Sequence, residues 1–360
     1  MINRRSFIHK SGLIMAAGMM PYPSFFLPQK NKKLGIALVG LGYYSTDLLA
    51  PALQLTKHCE LKGIVTGSPE KIPVWQSKYG IKDSNVYSYE TMHEIANNDE
   101  IDVVYIVLPP ALHAKYSIIA ANAGKHVWCE KPMEVSAEKC QAMIDACKKN
   151  KVKLAIGYRM HHEPNTQTLM NWAETEPYGQ INNILAKAGY FDTRTNHWKQ
   201  IKELGGGAMY DMGVYPLNAI RCTKGKEPIS VSAKHITKRP EIYHEVDETT
   251  IFDLKFSDGT IAHGETSLGE HFNNLEATCE EGSYFLKPFQ SYSGVQGATS
   301  DGEILKPWKG NQQAKQMDDD ALAILNHQPM LVPGEEGMKD IHIVEKIYES
   351  ASKNSSWIST

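Results

Sequence analysis

The first half of the chain alternates short apolar runs with longer amphipathic stretches. Five runs have the length and apolar content of strands buried on both faces, and they cover residues 34–39, 60–65, 103–108, 126–129 and 153–158. Helices are predicted between them over residues 69–79, 111–123 and 136–150. Strands that alternate with helices are typical of right-handed βαβ units, so the pattern predicts an α/β fold with a doubly wound parallel sheet.

The second half of the chain follows a different pattern. Apolar and polar side chains alternate from Phe252 to Phe256, and Asp258-Gly259 follows as a hairpin turn before a second strand at residues 260–267. Two strands joined by so tight a turn are antiparallel. This half of the chain therefore predicts a separate domain with antiparallel strands.

Composition narrows the classes of function. The 360 residues are 42% hydrophobic and 9% aromatic, which is typical of a folded protein of about two domains. Thirty-eight Lys and Arg against 41 Asp and Glu give a formal net charge of −3, so the basic excess of a nucleic-acid binder is missing. The six cysteines contain no C-x-x-C pair and are interpreted as buried thiols. His161-His162-Glu163 has no second ligand pair at metal-site spacing, so no metal site is predicted.

The N-terminus differs from the rest of the chain. Arg4-Arg5-Ser6-Phe7 precedes an apolar run at residues 13–20, which Pro21 ends before it could span a bilayer. Residues 1–33 therefore resemble a twin-arginine export signal and linker rather than a membrane anchor, and they predict a periplasmic protein. A frayed basic tail is the alternative, and it would leave the protein in the cytoplasm.

A glycine turn follows the first predicted strand. Gly40-Leu41-Gly42-Tyr43-Tyr44 has the strand, turn and helix order of a dinucleotide-binding fingerprint, in which glycines let the backbone approach a pyrophosphate. Ser45 stands where that fingerprint has Gly or Ala. An ordinary tight turn is the alternative to a dinucleotide site.

The carboxyl ends of parallel strands meet at one edge of the sheet, where ligands bind. The predicted strands lead to Gly42, Thr66, Leu108-Pro109, Glu130-Lys131 and Tyr158-Arg159. The second strand leads into Thr66-Gly67-Ser68, followed by Lys71, and lacks the carboxylate that usually accepts from the ribose of NAD. Hydroxyls, a helix start with Ser68 as its cap and the Lys71 ammonium would attract a 2′-phosphate, so NADP is predicted in preference to NAD.

Several motifs together resemble the Gfo/Idh/MocA oxidoreductase family, and within it the glucose-fructose oxidoreductases. These motifs are Glu130-Lys131-Pro132, Gly157-Tyr158-Arg159, the segment at residues 205–215 and the segment at residues 333–338. The resemblance runs from Leu34 almost to the C-terminus. It implies a Rossmann domain over residues 34–158 and a C-terminal α+β domain over residues 159–360, with an open, mostly antiparallel sheet and last helices that pack back on the Rossmann domain.

The resemblance also implies functions for individual residues. Lys131, Asp211 and Tyr215 are the expected catalytic residues, with Asp211 and Tyr215 one turn apart on a helix face that looks towards the nicotinamide. Asp211 is expected to orient the sugar and to hold Lys131. His113 and Arg159 are expected to line the nicotinamide and ribose region, and Trp198 and Lys199 to contact the cofactor from the second domain. The family further implies a homo-oligomer.

The chemistry of these residue types suits the oxidation of a sugar hydroxyl. Such a reaction needs a base at the hydroxyl oxygen and a nearby positive charge, and Tyr215 with Lys131 supplies both. A neighbouring ammonium can lower the pKa of a tyrosine by about 1–3 units from its usual value near 10. Each residue also has an ordinary interpretation: Lys131 as a solvated lysine, Tyr215 as a core tyrosine and Asp211 as a helix cap.

Export would constrain the mechanism, because a diffusible NADP could not be replenished outside the cytoplasm. The sequence therefore predicts that NADP stays bound, and that the hydride taken from an aldose passes to a second carbonyl sugar. Three alternatives remain: an NAD(P)-dependent glycosidase that oxidises a sugar transiently, an ordinary sugar or diol dehydrogenase with free NADP, and a nucleotide-binding protein without turnover.

Overall fold

The computed structural model describes residues 33–360. Residues 1–32, which contain nearly all of the predicted export signal, lie outside the described residues. The first sheet has six parallel strands in the order 3-2-1-4-5-6, which is that of a Rossmann fold. They are β1 (Leu34–Val39), β2 (Cys59–Val65), β3 (Val86–Tyr87), β4 (Val103–Ile106), β5 (His126–Cys129) and β6 (Leu154–Ile156). The predicted doubly wound parallel sheet is therefore confirmed, although the two-residue strand β3 was not predicted.

Helices cover both faces of this sheet. They are α1 (Ala50–Leu53), which continues a π-helical turn at Tyr44–Leu49, α2 (Ile72–Tyr79), α3 (His113–Asn122) and α4 (Ala137–Lys149). Helix α4 begins where the Ser136 hydroxyl accepts from the Lys139 N–H at 3.3 Å. Helix α2 ends at Gly80, whose φ of +69° is the left-handed conformation that favours glycine.

A second sheet of nine strands follows in the order 14-13-12-11-7-10-9-8-15. Its strands are β7 (Ile181–Phe191), β8 (Ser230–Ile236), β9 (Thr249–Lys255), β10 (Ile261–Ser267), β11 (Gly269–Cys279), β12 (Ser283–Leu286), β13 (Gly297–Thr299), β14 (Ile304–Leu305) and β15 (Ile358–Ser359). Strands β7 and β10 are parallel and the other pairs are antiparallel, which confirms the predicted mostly antiparallel sheet.

Helices cover one face of the second sheet. They are α5 (Pro164–Thr175), α6 (Val214–Lys224) and α8 (Gly334–Ser352). Phe252 and Leu254 of β9 are buried in the core on this side, as their alternation predicts. Helix α6 continues a π-helical turn at Met209–Gly213, and this turn carries Asp211 into the functional site.

The last long helices connect the two sheets. Helix α7 (Gln312–Leu325) places Ala314, Met317 and Ala321 in the core that surrounds Leu34 and Ile36 of β1. Helix α8 packs between α4 and β8. Residues 33–360 form one continuous body in which the second sheet faces the strand ends of the first.

Three further properties of the described residues bear on function. All six cysteines are free thiols, five of them buried. Within residues 33–360, no helix has both the length and the apolar content needed to cross a bilayer. The same residues do not bring three or more His, Cys, Asp or Glu side chains together in a possible metal site.

Candidate active site

A cavity of about 1160 Å³ separates the strand ends of the first sheet from the second sheet. It is larger than most small-molecule pockets and has room for a dinucleotide beside a second small molecule. Sixteen of the predicted site residues line it: Gly40, Gly42, Tyr43, Tyr44, Thr66, Ser68, Lys71, Leu108, Pro109, Glu130, Lys131, Arg159, Trp198, Lys199, Asp211 and Tyr215. Gly67 and His113 are the two predicted site residues outside this lining.

The glycine turn shapes one end of the cavity. Gly40 has a φ of +89°, and a Cβ there would lie 2.3 Å from the Val107 carbonyl oxygen. A Cβ on Gly42 would meet no atom within 4 Å, because it would project into the cavity. Ser45 is fully buried, and its hydroxyl donates to the Gly40 carbonyl at 2.5 Å. Ser45, the residue that departs from the fingerprint, therefore stabilises the glycine turn through this hydrogen bond.

The loop after β2 lies beside this turn. The Lys71 ammonium donates to the Leu41 carbonyl at 2.8 Å, which holds the lysine against the glycine turn. The Thr66 hydroxyl accepts from the Ser68 N–H at 3.0 Å. Ser68 is the N-cap residue of the turn at Pro69–Lys71, as predicted, but its side chain caps no N–H, and the residue lines the cavity. Gly67 is exposed, and a Cβ there would lie 3.0 Å from the Tyr89 ring.

These observations fit a bound dinucleotide. Gly42 leaves space at the start of a helix, where backbone N–H groups favour a phosphate. Ser68 and Lys71 both line the cavity, and the Lys71 ammonium lies against the glycine turn. A carboxylate that would repel a ribose phosphate is missing from Thr66-Gly67-Ser68.

Lys131 and Tyr215 meet across the cavity. The Lys131 ammonium lies 4.3 Å from the centroid of the Tyr215 ring, which is a cation–π contact over the ring face. The same ammonium donates to the main-chain carbonyl of Asp211 at 2.7 Å. Lys131 follows β5 and Tyr215 opens α6, so the pair joins the two domains. Asp211 does hold Lys131, but through its backbone rather than its carboxylate.

The Asp211 carboxylate has other partners. Its Oδ2 accepts from the Lys199 ammonium at 2.7 Å and from the Tyr190 hydroxyl at 2.9 Å. Burial would raise the pKa of Asp211, but the ammonium groups of Lys199 and Lys131 outweigh that effect and lower it. Asp211 is therefore ionised at neutral pH. Among the described residues, no donor binds its Oδ1, which is left to accept from a ligand.

Trp198 and Lys199 belong to a short 3₁₀ turn, Trp198–Gln200. A capping box closes the N-terminal end of the turn: the His197 ring accepts from the Lys199 N–H, and the Gln200 side chain accepts from the His197 N–H at 2.9 Å. This cap points the Lys199 ammonium towards Asp211, while the Trp198 ring lines the cavity. Lys199 therefore pairs with Asp211 in the wall of the cavity.

Arg159 is almost completely buried and is surrounded by aromatic rings. Its guanidinium lies 4.8 Å from the centroid of the Tyr292 ring and 5.7 Å from that of Tyr215. It donates to the Ser291 carbonyl at 2.8 Å and to the Gln312 side chain. Arg159 thus connects the end of β6 with the loop that follows β12 and with α7.

Glu130 is a buried acid in the cavity wall. Its Oε1 accepts from the Tyr105 hydroxyl at 2.6 Å. Burial raises the pKa of Glu130 to about 7, although the Tyr105 hydrogen bond and the Lys131 charge oppose that shift.

His113 lies behind the cavity wall rather than in it. Its ring is fully buried between the Leu108 carbonyl, 2.8 Å from Nε2, and the Pro132 carbonyl, 2.9 Å from Nδ1. Burial lowers the pKa of His113 to about 4. The ring connects the segments after β4 and β5, and through them it supports Pro109 and Lys131.

Sequence analysis missed several residues of the second domain. Tyr190, near the end of β7, donates to Asp211, and the Tyr292 ring lies tilted against that of Tyr44 with centroids 6.0 Å apart. Phe272 and Asn273 of β11 also line the cavity. Nothing in their local sequence distinguishes these residues from ordinary strand and loop positions.

Comparisons with known proteins bear on this geometry. Residues 34–158 match the model of an oxidoreductase family with an NAD-binding Rossmann fold, and residues 166–285 match the GFO/IDH/MocA C-terminal domain. The chain belongs to the Gfo/Idh/MocA oxidoreductase family. The resemblance inferred from the sequence is therefore confirmed, and the first domain of this family member is an NAD(P)-binding domain.

Individual relatives of this family member span nearly its whole length. The crystal structure of an aldose-aldose oxidoreductase from Caulobacter crescentus, complexed with glycerol, is 33% identical, covers 91% of this chain and all of its own, and superposes with a TM-score of 0.87. A D-xylose 1-dehydrogenase [NADP(+)] from Haloarcula marismortui is 27% identical over 89% of this chain and 91% of its own. A levoglucosan dehydrogenase complex with NADH and levoglucosan, 22% identical with a TM-score of 0.78, covers 91% and 99% and shares the fold.

Proposed function

We propose that this protein is an NADP-dependent sugar oxidoreductase that takes a hydride from an aldose and passes it to a second carbonyl sugar while NADP stays bound. The observation that carries the proposal is the Lys131 ammonium, 4.3 Å from the centroid of the Tyr215 ring, in the wall of a cavity that fits a dinucleotide. The aldose-aldose oxidoreductase and D-xylose 1-dehydrogenase among its relatives support a sugar as the substrate.

Tyr215 is the proposed base for the sugar hydroxyl. Its phenol is 8% exposed and opens into the cavity, so a hydroxyl that reaches it leaves bulk water. As a phenolate, Tyr215 would accept the proton of the sugar hydroxyl during oxidation and return it to the second sugar during reduction, and Lys131 stabilises the negative charge of that phenolate. Bound nicotinamide supplies the acceptor for the hydride that leaves the sugar carbon.

Asp211 is the proposed orienting residue. Its ionised carboxylate uses Oδ2 for Lys199 and Tyr190, which leaves Oδ1 to accept from a second sugar hydroxyl. Since Lys131 is fixed to the Asp211 backbone, the orienting carboxylate and the positive charge move as one unit. Arg159, Trp198 and Lys199 complete the wall around the nicotinamide and the sugar.

NADP is the proposed cofactor. Ser68 and Lys71 supply a hydroxyl and an ammonium beside the glycine turn, and both suit a 2′-phosphate. The D-xylose 1-dehydrogenase that this chain resembles is named for NADP(+), which agrees with this preference.

Export in folded form is the proposed reason for keeping the nucleotide. Arg4-Arg5 and the apolar run after them support a twin-arginine signal and a periplasmic location.

We also propose a homo-oligomer. Its support is the second sheet, whose face opposite the helices carries half-exposed side chains such as Leu185 and Ile251.

One experiment tests the proposed function. The purified full chain is denatured to identify any released nucleotide, and native protein is then given an aldose and a ketose with no added cofactor. Coupled formation of lactone and polyol is the expected result. Activity that appears only with added NADP would refute retention of the cofactor, and release of nitrophenol from a nitrophenyl glycoside without coupled turnover would indicate a glycosidase instead.

A matched pair of variants tests the proposed base. Tyr215→Phe keeps the ring beneath Lys131 but removes the hydroxyl, so coupled turnover should fall at least about 100-fold while the nucleotide stays bound. Tyr210→Phe is the control, because Tyr210 donates to the Val135 carbonyl and does not line the cavity. Equal activity of the two variants would contradict the role given to Tyr215.

A further inference from the structure

Glu130 differs from Asp211, the other acidic residue that lines the cavity among the described residues. Asp211 is neutralised by Lys199, whereas within residues 33–360 no ammonium or guanidinium group pairs with the Glu130 carboxylate. Its donors are the Tyr105 hydroxyl at 2.6 Å and the Lys131 main-chain N–H at 3.3 Å. The side chain is only 7% exposed, so water does little to compensate its charge.

The surroundings of Glu130 are built to hold this carboxyl in place. A Cβ on Gly157 would lie 2.7 Å from Glu130 Oε1, so the carboxyl occupies space that only a glycine leaves. Tyr105 is fully buried and is itself held by the Gln316 amide of α7, which donates to its hydroxyl at 3.2 Å. The titratable and charged groups that face Glu130 are Tyr44, Tyr105, Cys129, Lys131, Arg159 and Tyr292.

The proposed reaction changes the charge of the space that Glu130 faces. When a sugar hydroxyl is oxidised, the C–H and O–H bonds break and a C=O bond forms. The electron pair leaves with the hydride to the nicotinamide, which thereby loses its positive charge, and the hydroxyl hydrogen leaves as a proton. A buried carboxylate is stabilised by an adjacent positive charge and becomes more basic once that charge has gone.

We infer that Glu130 is a redox-linked proton site: the proton that Tyr215 takes from the sugar hydroxyl passes on to Glu130 when the bound nicotinamide is reduced, and it returns by the same route when the hydride passes to the second sugar. This inference rests on the proposed function and adds a residue to it. One proton enters with each hydride and one leaves with it, so the net charge of the cavity stays constant through the cycle. The pKa of Glu130 near 7 agrees with such a role, because the carboxyl can change state at neutral pH.

Infrared difference spectroscopy of the full chain, loaded to saturation with NADP⁺ or with NADPH, tests the inference without any turnover. The carboxylic-acid C=O stretch is followed while the pH is varied through the neutral range. The expected result is a titration whose midpoint is higher with NADPH than with NADP⁺ by about 1 pH unit, the low end of what a neighbouring charge does to a carboxyl.

Two variants assign that signal. Glu130→Gln keeps an acceptor for the Tyr105 hydroxyl but cannot ionise, so the redox-dependent band should disappear. Glu134→Gln is the matched control, because Glu134 is also fully buried, with a pKa that burial raises, yet does not line the cavity. The Glu134→Gln protein should keep the band.

Two results would overturn the inference. One is the same midpoint with both nucleotides, and the other is a redox-dependent band that survives in Glu130→Gln. Either result would leave the proposed function standing, since both nucleotides would still be bound. Failure of the chain to bind NADP⁺ or NADPH would overturn the proposed function and this inference together.

Discussion

The two walls of the cavity are built differently. The dinucleotide wall consists of the segments that follow strands β1, β2, β4 and β5, where glycines, prolines and hydroxyls stand next to the strand that positions them. The substrate wall consists of Tyr190, Lys199, Asp211 and Tyr292, which come from separate elements. Tyr190 and Lys199 bind Asp211, and Tyr292 packs against Tyr44 and Arg159. The first wall depends on local backbone geometry, and the second depends on pairs of distant side chains.

Lys131 joins the two walls, so its removal should have the largest effect. Lys131→Met takes away the ammonium over Tyr215, and turnover should fall by about 10²–10⁴-fold, as for loss of an acid–base group. The nucleotide should stay bound, because the glycine turn and Lys71 are unchanged. Steady-state turnover and the nucleotide released on denaturation are the measurements. Lys202→Met, at an exposed lysine outside the cavity lining, is the control. Wild-type turnover in Lys131→Met would refute the account of this residue.

Alanine substitutions at Gly40 and Gly42 should have different effects, the first on stability and the second on nucleotide binding. Gly40→Ala puts a Cβ 2.3 Å from the Val107 carbonyl at a φ of +89°, so the free energy of unfolding should fall by about 3 kcal/mol. Gly42→Ala meets no protein atom and should keep wild-type stability, but its methyl group enters the nucleotide space and should weaken nucleotide binding about 10-fold. Denaturant unfolding and nucleotide titration distinguish the two. Equal stability of both variants would contradict this division.

Asp320 of α7 is buried, and its Oδ2 has no hydrogen-bond partner among the described residues. Burial raises the pKa of Asp320 to about 7 from its usual value near 4. The folded state therefore favours the protonated acid, and this side chain costs stability increasingly as the pH rises from 4 to 7. Asp320→Asn should be more stable than wild type by about 2 kcal/mol above pH 7, and the gain should vanish below pH 4.

Denaturant unfolding across this pH range measures the difference, and Asp319→Asn supplies a control of opposite sign. Asp319 is bound by the His162 ring at 2.8 Å and by the Lys315 ammonium at 2.7 Å. These contacts outweigh the effect of burial and lower the pKa of Asp319, so its removal should cost stability at neutral pH. A loss of stability in Asp320→Asn at high pH would show that burial of this carboxyl carries no penalty.

Substitution of Lys199 should affect sugar binding at the substrate wall without affecting the nucleotide. Lys199→Met breaks the 2.7 Å ion pair with Asp211 and leaves that carboxylate to Tyr190, so the orienting carboxylate should lose its fixed position. The KM for the sugar should rise about 10-fold, which corresponds to about 1.4 kcal/mol, and the nucleotide should stay bound. Loss of nucleotide together with the higher KM would show that Lys199 serves the dinucleotide wall instead.

Lys71 tests the other wall and should give the smallest effect. Lys71→Ala removes the ammonium next to the glycine turn, and the preference for NADP over NAD should fall about 5-fold, because a single surface charge on a phosphate is worth about 1 kcal/mol. The ratio of the two dissociation constants is the measurement. An unchanged ratio would show that residues other than Lys71 recognise the 2′-phosphate.

The same contrast explains what the sequence could predict. Strands β1 and β5 appear with their predicted ends, and the glycine turn, Thr66 and Lys131 follow strands, so the periodicity that locates a strand also locates them. The partners of Asp211 could not be found this way. Lys199 is 12 positions and Tyr190 is 21 positions from Asp211, and only the packing of β7 against the turn before α6 brings them together.

His113 is the opposite case, a residue predicted for the site that the structure places outside the cavity lining. The family resemblance implies a place for it in the nicotinamide and ribose region, but its ring turns inward to two backbone carbonyls. His113 begins α3, and the direction of its ring depends on the segment packed against it, which includes Pro132. Pro132 is 19 positions from His113, so this contact could not be predicted from the sequence around His113.

Transfer of one hydrogen atom between two sugars tests the central claim most directly. The full chain is given an aldose carrying deuterium on C1 and an unlabelled ketose, with no added nucleotide, and the products are analysed by mass spectrometry. The account predicts that the deuterium lost from the aldose is found on carbon in the reduced ketose, and that Lys131→Met abolishes this transfer. A reduced ketose without deuterium, or no reduced ketose until NADP is added, would contradict it.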